Sequence, residues 1–572
     1  MKPSPSRPGA SVVIPSAEYE DLVRQESAAR GLDVSLTIAD GPGLVGAIRQ
    51  CDGDATTGAV GLIVQAIPDG AAFMAAIAGA GKPVVVLGVG RGERGRRALG
   101  VGQARQPEQE QLYQAAIGQA GGLAARDSEE LFDAVLALAC SAETAWPSGA
   151  GGAILSLSPG LGALAADACE DAHLDLPALA PETQAQLAEL APGLLAADNP
   201  VLLDSQTSGE QLAKALALLS ADSGVGGIIL ILAALNAEQC EAALEVWPET
   251  PWRPQEPPVN REIESDSGAS TPPRAASASF SAKLLAGANR RKALVLCSGP
   301  AAGFVATERR QVPCFPTPER AARACRALMT YAERQSTKAQ HSALSTQHSP
   351  EPMNIEGEGV MDEHETKRLL DRWGVAVVPG TLVTGPGRND FTPVRKLAIH
   401  FGFPVVLKAI RRDIVDKAGM GAVASGLATV DQLQQAWGRM HERFPDAAWL
   451  VHPMLPGDVE LVVGARRDPV FGPYVFFGGG GIMTELYGDV SMRIAPFSTR
   501  EAVEMIEETK AAQLLRGFHG LPVHDLAEIG DVLVRVGQLM LGQPTVQQLE
   551  INPLLVTEKG PIVTEAIAVI GA

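Results

Sequence analysis

The feature that most restricts this chain is a rhythm, kept up through its first 334 residues, of short apolar runs alternating with amphipathic stretches. VGLIV (60–64) and KPVVVLG (82–88) lead into an Ala/Leu-rich helical pattern that ends in LFDAVLALA (131–139). A second series opens at GGAILSLS (151–158), passes through a helix after Pro159-Gly160 and reaches GIILILA (227–233). It closes with KALVLCSG (292–299) and the helix PERAARACRALMTYAERQ (318–335). Parallel strands need helical crossovers and are buried on both faces, so apolar runs separated by helices predict parallel sheets covered on both sides. Two doubly wound α/β domains are expected, over 9–145 and 148–334. The Pro- and Ser-rich stretch 247–279 breaks the second; because a strand pattern resumes at Lys292, it is expected to be a disordered insertion. At 572 residues a single core is excluded.

A polar stretch without apolar period, 335–352, is expected to be a linker, and beyond it the texture changes. MDEHETKRLLDRWGV (361–375) reads as a helix. VVPGTLV, FPVVLKAI, AWLVHPM, VELVVGARRD, YVFFGGGG, QLEINPLLV and PIVTEAIAVI then read as strands, several joined as hairpins. That pattern predicts an α+β unit with antiparallel sheets around a cleft over 353–572. A formal net charge of −19 argues against nucleic acid or an anionic membrane as the main partner. The longest apolar run, 225–235, is broken by two glycines and is shorter than the roughly 20 residues a bilayer requires. The N-terminal residues lack a secretory apolar core, and the seven cysteines never form CxxC, so a cytoplasmic protein with scattered buried thiols is expected.

Three segments could carry chemistry. In FPVVLKAIRRDIVDKAGMGAV (403–423) a strand presents Lys408, and Lys417 opens a loop spaced by Gly419 and Gly421. Small residues let backbone N–H groups approach phosphate oxygens while lysines neutralise their charge; a hairpin turn with solvated lysines is the plainer alternative. Near the C-terminus, Asn552 and Glu565 flank a turn at Glu558-Lys559, and a two-residue turn there sets them opposite each other. An amide oxygen facing a carboxylate can hold Mg²⁺, with Glu550 as a further carboxylate on the same strand; a surface Asn and Glu on an ordinary hairpin is the alternative. The third segment follows four glycines, 478–481, expected to form a loop, with Glu485, Asp489 and Arg493 at spacing four beyond them. These charges suit a phosphoryl-transfer cleft, or else a salt-bridged helix that Gly488 disfavours. His364, His452 and His519 have no paired nucleophile and read as core or surface residues.

These motifs, with LLRGFHG and EINPLLV, follow in order those of the ATP-grasp domain of NDP-forming (ADP-forming) acyl-CoA synthetases, relatives of succinyl-CoA synthetase, and the C-terminal half resembles that domain. The N-terminal half resembles the same family's two flavodoxin-like ligase domains. KPVVVLGVGRGERGRRA and LYQAAIGQAGGLAARDSEELFDAVLAL match the first, and PGLGALAADACEDAHLDLPALAPETQAQLAELAP with Asn199-Pro200 matches the second. The resemblance implies ATP and Mg²⁺ as cofactors. Lys408 and Lys417 would contact phosphates beside Gly419, Gly421 and Glu485, the strand Val451–Met454 would be the adenine hinge, and Asn552 and Glu565 would bind Mg²⁺, with Glu565 standing where Asp is usual.

Three departures qualify that expectation. The family's Rossmann-like CoA-binding domain lies ahead of the matched region, so CoA is expected to need a separate subunit. The family's phosphate-carrying His, in a Ser-His-Thr-Gly motif, falls at Gly102, and no His precedes His173. The His that ADP-forming members carry before the lysine of the ATP loop is Asp416. The implied function is activation of a small carboxylic acid through an acyl phosphate, by this chain with a partner or as a homo-oligomer. A catalytically silent nucleotide-binding subunit and an ATP-grasp ligase with a non-CoA acceptor are the alternatives.

Overall fold

The computed structural model describes residues 7–39, 43–99, 107–141, 147, 151–190, 193–204, 207–232, 292–298, 303–306, 311–338, 355, 358–414, 417, 419–480 and 489–571. Gly102, Asp416, Glu485 and the stretch 247–279 lie outside the described residues. The chain divides into two compact units, one of 1–105 with 120–340, the other of 106–119 with 341–572.

The first unit holds two sheets. β1 (Gly9–Ile14), β2 (Asp33–Ile38), β3 (Ala59–Val64), β4 (Val84–Gly88) and β5 (Leu123–Ala125) pair in the order β2-β1-β3-β4-β5, all parallel. That is the flavodoxin-like doubly wound order. β3 is buried at every position, as an inner parallel strand should be, while β2 at the edge is not. The second sheet comprises β6 (Gly151–Ser156), β7 (Leu194–Ala196), β8 (Val201–Leu203), β9 (Val225–Ile231), β10 (Ala293–Cys297), β11 (Gly303–Ala306) and β12 (Gln311–Phe315). Its order is β11-β12-β10-β9-β6-β8-β7, parallel except for the antiparallel outermost strands β11 and β7.

Helix Ser128–Ser141 behind the first sheet and helix Pro318–Lys338 behind the second share one apolar cluster, and a buried ion pair crosses it. Asp133, 2% exposed, accepts from Arg30 Nε at 2.7 Å and from Arg320 Nε at 2.6 Å. A charge in such a place is tolerable only when paired, so Asp133 fixes Arg320 and with it the second helix. Helix Pro318–Lys338 runs to Lys338, so the first four residues of the stretch read as linker are helical.

The second unit also holds two sheets. β14 (Thr381–Val383), β15 (Val405–Ile410), β16 (Val423–Leu427) and β17 (Ala448–Pro453) form an antiparallel sheet in the order β14-β17-β15-β16. The other contains β13 (Gly359–Met361), β18 (Val459–Asp468), β19 (Gly472–Gly479), β20 (Val490–Ile494), β21 (Val546–Thr557), β22 (Gly560–Val563) and β23 (Ala566–Ile570). Its path is β13-β23-β21-β18-β19-β20, with β22 paired to β21.

Two sequence readings need correction here. Helix Pro107–Gln119, placed by its sequence in the first domain, packs in the second unit. Tyr113 meets the Phe471 ring edge-on at 4.9 Å; Gln119 Nε2 donates to the Ile494 carbonyl at 3.1 Å while its Oε1 accepts the Ile494 N–H at 2.7 Å. The side-chain amide thus stands in for a neighbouring strand at the edge of β20.

The second correction concerns the glycine run. Gly478 and Gly479 are strand, paired with Val462 and Leu461, rather than loop. The reason is close approach: a Cβ on Gly478 would lie 2.7 Å from the Asp489 carbonyl oxygen, and one on Gly480 would lie 2.8 Å from the Glu460 backbone. A Cβ on Gly479 meets nothing within 4 Å. Gly480→Ala should therefore destabilise the protein by about 1–3 kcal/mol, whereas Gly479→Ala should stay within about 0.5 kcal/mol of wild type. Denaturant unfolding of the two variants checks this; equal stabilities would contradict it.

Candidate functional site

β15 alternates. Val405, Leu407 and Ala409 enter the apolar cluster beneath helices Phe391–Phe401 and Val430–Arg443, so Lys408 faces the opposite way. It is 4% exposed, and its Nζ donates to Glu363 Oε1 at 2.9 Å, Glu565 Oε2 at 3.1 Å and the Thr564 carbonyl at 3.1 Å. Lys417, also buried, donates to Glu565 Oε1 at 2.9 Å and lies 3.3 Å from Glu363 Oε2. The loop after it closes where the Ala422 N–H bonds the Lys417 carbonyl at 2.7 Å, and Gly421 takes the left-handed φ of +66° this requires. Gly419 is exposed in the same loop.

The residue on which both lysines converge, Glu363, opens helix Glu363–Arg372. Asp362 caps that helix and forms a reciprocal pair of bonds with Glu365, which sets Glu363 in the first turn, where the helix dipole favours an anion. Lys367, one turn on, donates to Glu363 Oε1 at 2.7 Å. Burial would raise the Glu363 pKa, but Lys408, Lys367 and Lys417 outweigh it and hold the carboxyl at about 2. Burial pulls Lys367 down to about 8 against the pull of Glu363. For Lys417 the two glutamates prevail over burial and its pKa is raised. Three ammonium groups against two carboxylates leave the cluster one positive charge in excess, suited to a polyanion.

The Asn552/Glu565 pair has the register expected from its spacing. Thr557 pairs with Gly560 and Leu554 with Val563, and the Asn552 N–H bonds the Glu565 carbonyl at 3.1 Å, so the two residues stand opposite each other. The run read as one last strand is split at Thr564-Glu565, between β22 and β23, and this break brings Glu565 and the Thr564 carbonyl to the lysines. Glu550 is exposed on β21 opposite Ile567. Asn552 and Glu565, both partly exposed, fit Mg²⁺, which needs one or two protein oxygens and takes the rest from water and phosphate.

Other positions behave differently. The Val451 side chain is buried in the apolar cluster and the residue pairs with Leu407 on one side and Thr381 on the other; Met454 is 45% exposed and its N–H bonds the Pro404 carbonyl at 2.9 Å. Arg493 donates to Glu508 at 2.6 Å, and Asp489 accepts the Lys510 N–H at 2.6 Å. Glu363 and Lys367 are not singled out by the sequence. The i,i+4 spacing of Glu363 and Lys367 was visible, yet such pairs usually sit on solvated faces. His452 is buried, its Nδ1 bonding the Pro453 carbonyl at 2.9 Å; burial, then Lys408 and Lys367, lower its pKa to about 4, which keeps it neutral.

A family model described as an ATP-grasp domain matches residues 353–570, and one described as a succinyl-CoA ligase-like flavodoxin domain matches 24–138. An ADP-forming acetate–CoA ligase I of Archaeoglobus fulgidus is 30% identical over 537 residues, covering 91% of this chain and 71% of that protein. A trans-feruloyl-CoA synthase of an unknown prokaryotic organism is 25% identical over 558 residues, or 93% and 72%. The beta subunit of an ADP-forming acetate–CoA ligase I of Pyrococcus furiosus is 35% identical over 211 residues, 36% of this chain and 89% of that subunit.

Because Glu363 titrates below its ordinary 4.5, its stabilising effect is present above about pH 4.5 and is lost as pH falls from there through about 2. Unfolding midpoints measured across that window should drop less steeply in Glu363→Gln than in wild type; parallel curves would count against the pairing.

Proposed function

The chain belongs to the family of ADP-forming acid–CoA ligases, and on that premise we propose that its second unit binds MgATP over the lysine–glutamate cluster and activates a small carboxylic acid as an acyl phosphate. The observation that carries the reading is the convergence of Lys408 and Lys417 on Glu363 and Glu565. Two ammonium groups already held within 3.3 Å of the same two carboxylates are preorganised for phosphate and need little reorganisation when charge shifts. Asn552 and Glu565 would hold Mg²⁺, which supplies further positive charge at the phosphate oxygens. Val451–Met454 would receive the base through backbone groups, and Gly419 and Gly421 let the loop backbone approach the phosphates.

In this scheme a substrate carboxylate oxygen bonds to the γ-phosphorus, the bond to the bridging oxygen breaks and ADP leaves. A thiol then displaces phosphate to give the thioester. Gly102 carries no nucleophile, and Asp416 cannot form a phosphoramidate, so phosphate reaches the acid without a histidine carrier. The thiol proposed as acceptor is that of CoA, the acid–CoA ligase being the activity that the names of the relatives carry.

Loss of a lysine that meets desolvated phosphate removes a contact worth about 1.5–3 kcal/mol, so Lys408→Ala should weaken MgATP binding by about 10- to 150-fold in calorimetry. Equal affinities would withdraw the site. The carrier-free route is tested by incubating the protein with γ-labelled ATP and candidate acids. Acid-dependent ADP release without alkali-stable, acid-labile label is expected. Such label on any of the nine histidines would show a surviving relay. ATP binding with no acid-dependent ADP release would favour a silent nucleotide-binding subunit.

A further inference from the structure

We propose that Glu363 is a positioning residue that keeps Lys408 and Lys417 aimed at one point while Glu565 exchanges those lysines for the metal of the nucleotide. The proposal rests on the MgATP reading above. Glu565 commits one oxygen to each lysine, Oε1 to Lys417 at 2.9 Å and Oε2 to Lys408 at 3.1 Å. A Mg²⁺ ion needs at least one of those oxygens, and an ammonium group and a divalent cation on the same carboxylate repel each other. The lysine contacts and the metal contact at Glu565 therefore compete.

Glu363 is placed so that it does not join the exchange. It is 1% exposed, and both of its oxygens face lysines. Lys367, 2.7 Å away on the same helix, shares this buried carboxylate, so Glu363 stays paired and goes on holding Lys408 and Lys417 in place when Glu565 releases them to the phosphates. Glu565, with 28% of its side chain exposed, is the member of the cluster that an arriving ligand reaches.

Two consequences separate the roles. Without metal, the Glu565 carboxylate is only a competitor of the phosphates for the lysines. With metal, it becomes a ligand. ATP is titrated calorimetrically into the full chain with Mg²⁺ and, separately, with a chelator, for wild type, Glu565→Ala, Glu363→Gln and Glu363→Asp. Glu565→Ala should bind metal-free ATP at least as tightly as wild type, up to about tenfold tighter, and should lose most of the gain that Mg²⁺ brings. Glu363→Gln should weaken binding by about tenfold or more under both conditions, and Glu363→Asp, which keeps the charge, should recover part of the loss.

A Glu565→Ala variant that loses metal-free affinity as Glu363→Gln does would overturn the exchange, as would a Glu363→Gln variant that binds like wild type in both buffers. Circular dichroism monitors folding; should Glu363→Gln not fold, the metal-free result for Glu565→Ala decides. Equal ATP affinity in wild type and Lys408→Ala withdraws the nucleotide reading itself, a result the carboxylate variants do not produce.

Discussion

One carboxylate with almost no access to water organises the second unit. Desolvating Glu363 costs several kcal/mol unless cations compensate, and the compensation comes from Lys367 on its own helix, Lys408 on β15 and Lys417 in the loop after it. Segments far apart in sequence are held in register by a demand that none of them meets alone. The apolar clusters on the two sheets set the frame, but they are indifferent to where an ammonium group ends up. The ion cluster converts a generic sheet-and-helix frame into one defined arrangement of charge.

The fold was legible where a single physical rule governs the segment. Parallel strands buried on both faces produce unbroken apolar runs, and the two parallel sheets lie where those runs fall. The antiparallel character of the C-terminal half and the register of its last hairpin also followed from spacing, because a two-residue turn leaves only one pairing. The glycine run misled, since glycine disfavours strands on average, whereas here neighbouring backbones come too close for a Cβ at Gly478 and Gly480. Helix Pro107–Gln119 misled for a different reason: its apolar face says that it is covered but not by what.

The site was legible only in part. Lys408, Lys417, Asn552 and Glu565 stand out because lysines beside glycines and an Asn facing a carboxylate are unusual on otherwise apolar strands. Glu363 did not, since a glutamate in the first turn of a capped helix is what any solvated helix shows. Burial is what separates the two cases, and burial of one residue depends on chain that lies 45 and 202 positions away at Lys408 and Glu565. Asp133 in the first unit makes the same point: within LFDAVLALA it interrupts an apolar face, and its meaning emerges only with Arg30 and Arg320 beside it.

The bond pair between Gln119 and Ile494 bears on how the chain can be divided. Leaving the first sheet after β4, the polypeptide gives one helix to the second unit and then returns to lay down β5, the neighbour of β4. The two units are therefore interleaved along the sequence, and no single cut yields two whole pieces. A fragment beginning near residue 341 would keep both antiparallel sheets yet lack residues 106–119 of its own unit, leaving the backbone of Ile494 without its amide partner and the ring of Phe471 without Tyr113. Such a fragment would present a bare sheet edge beside an uncovered aromatic ring, the surface on which strands of separate molecules add to one another.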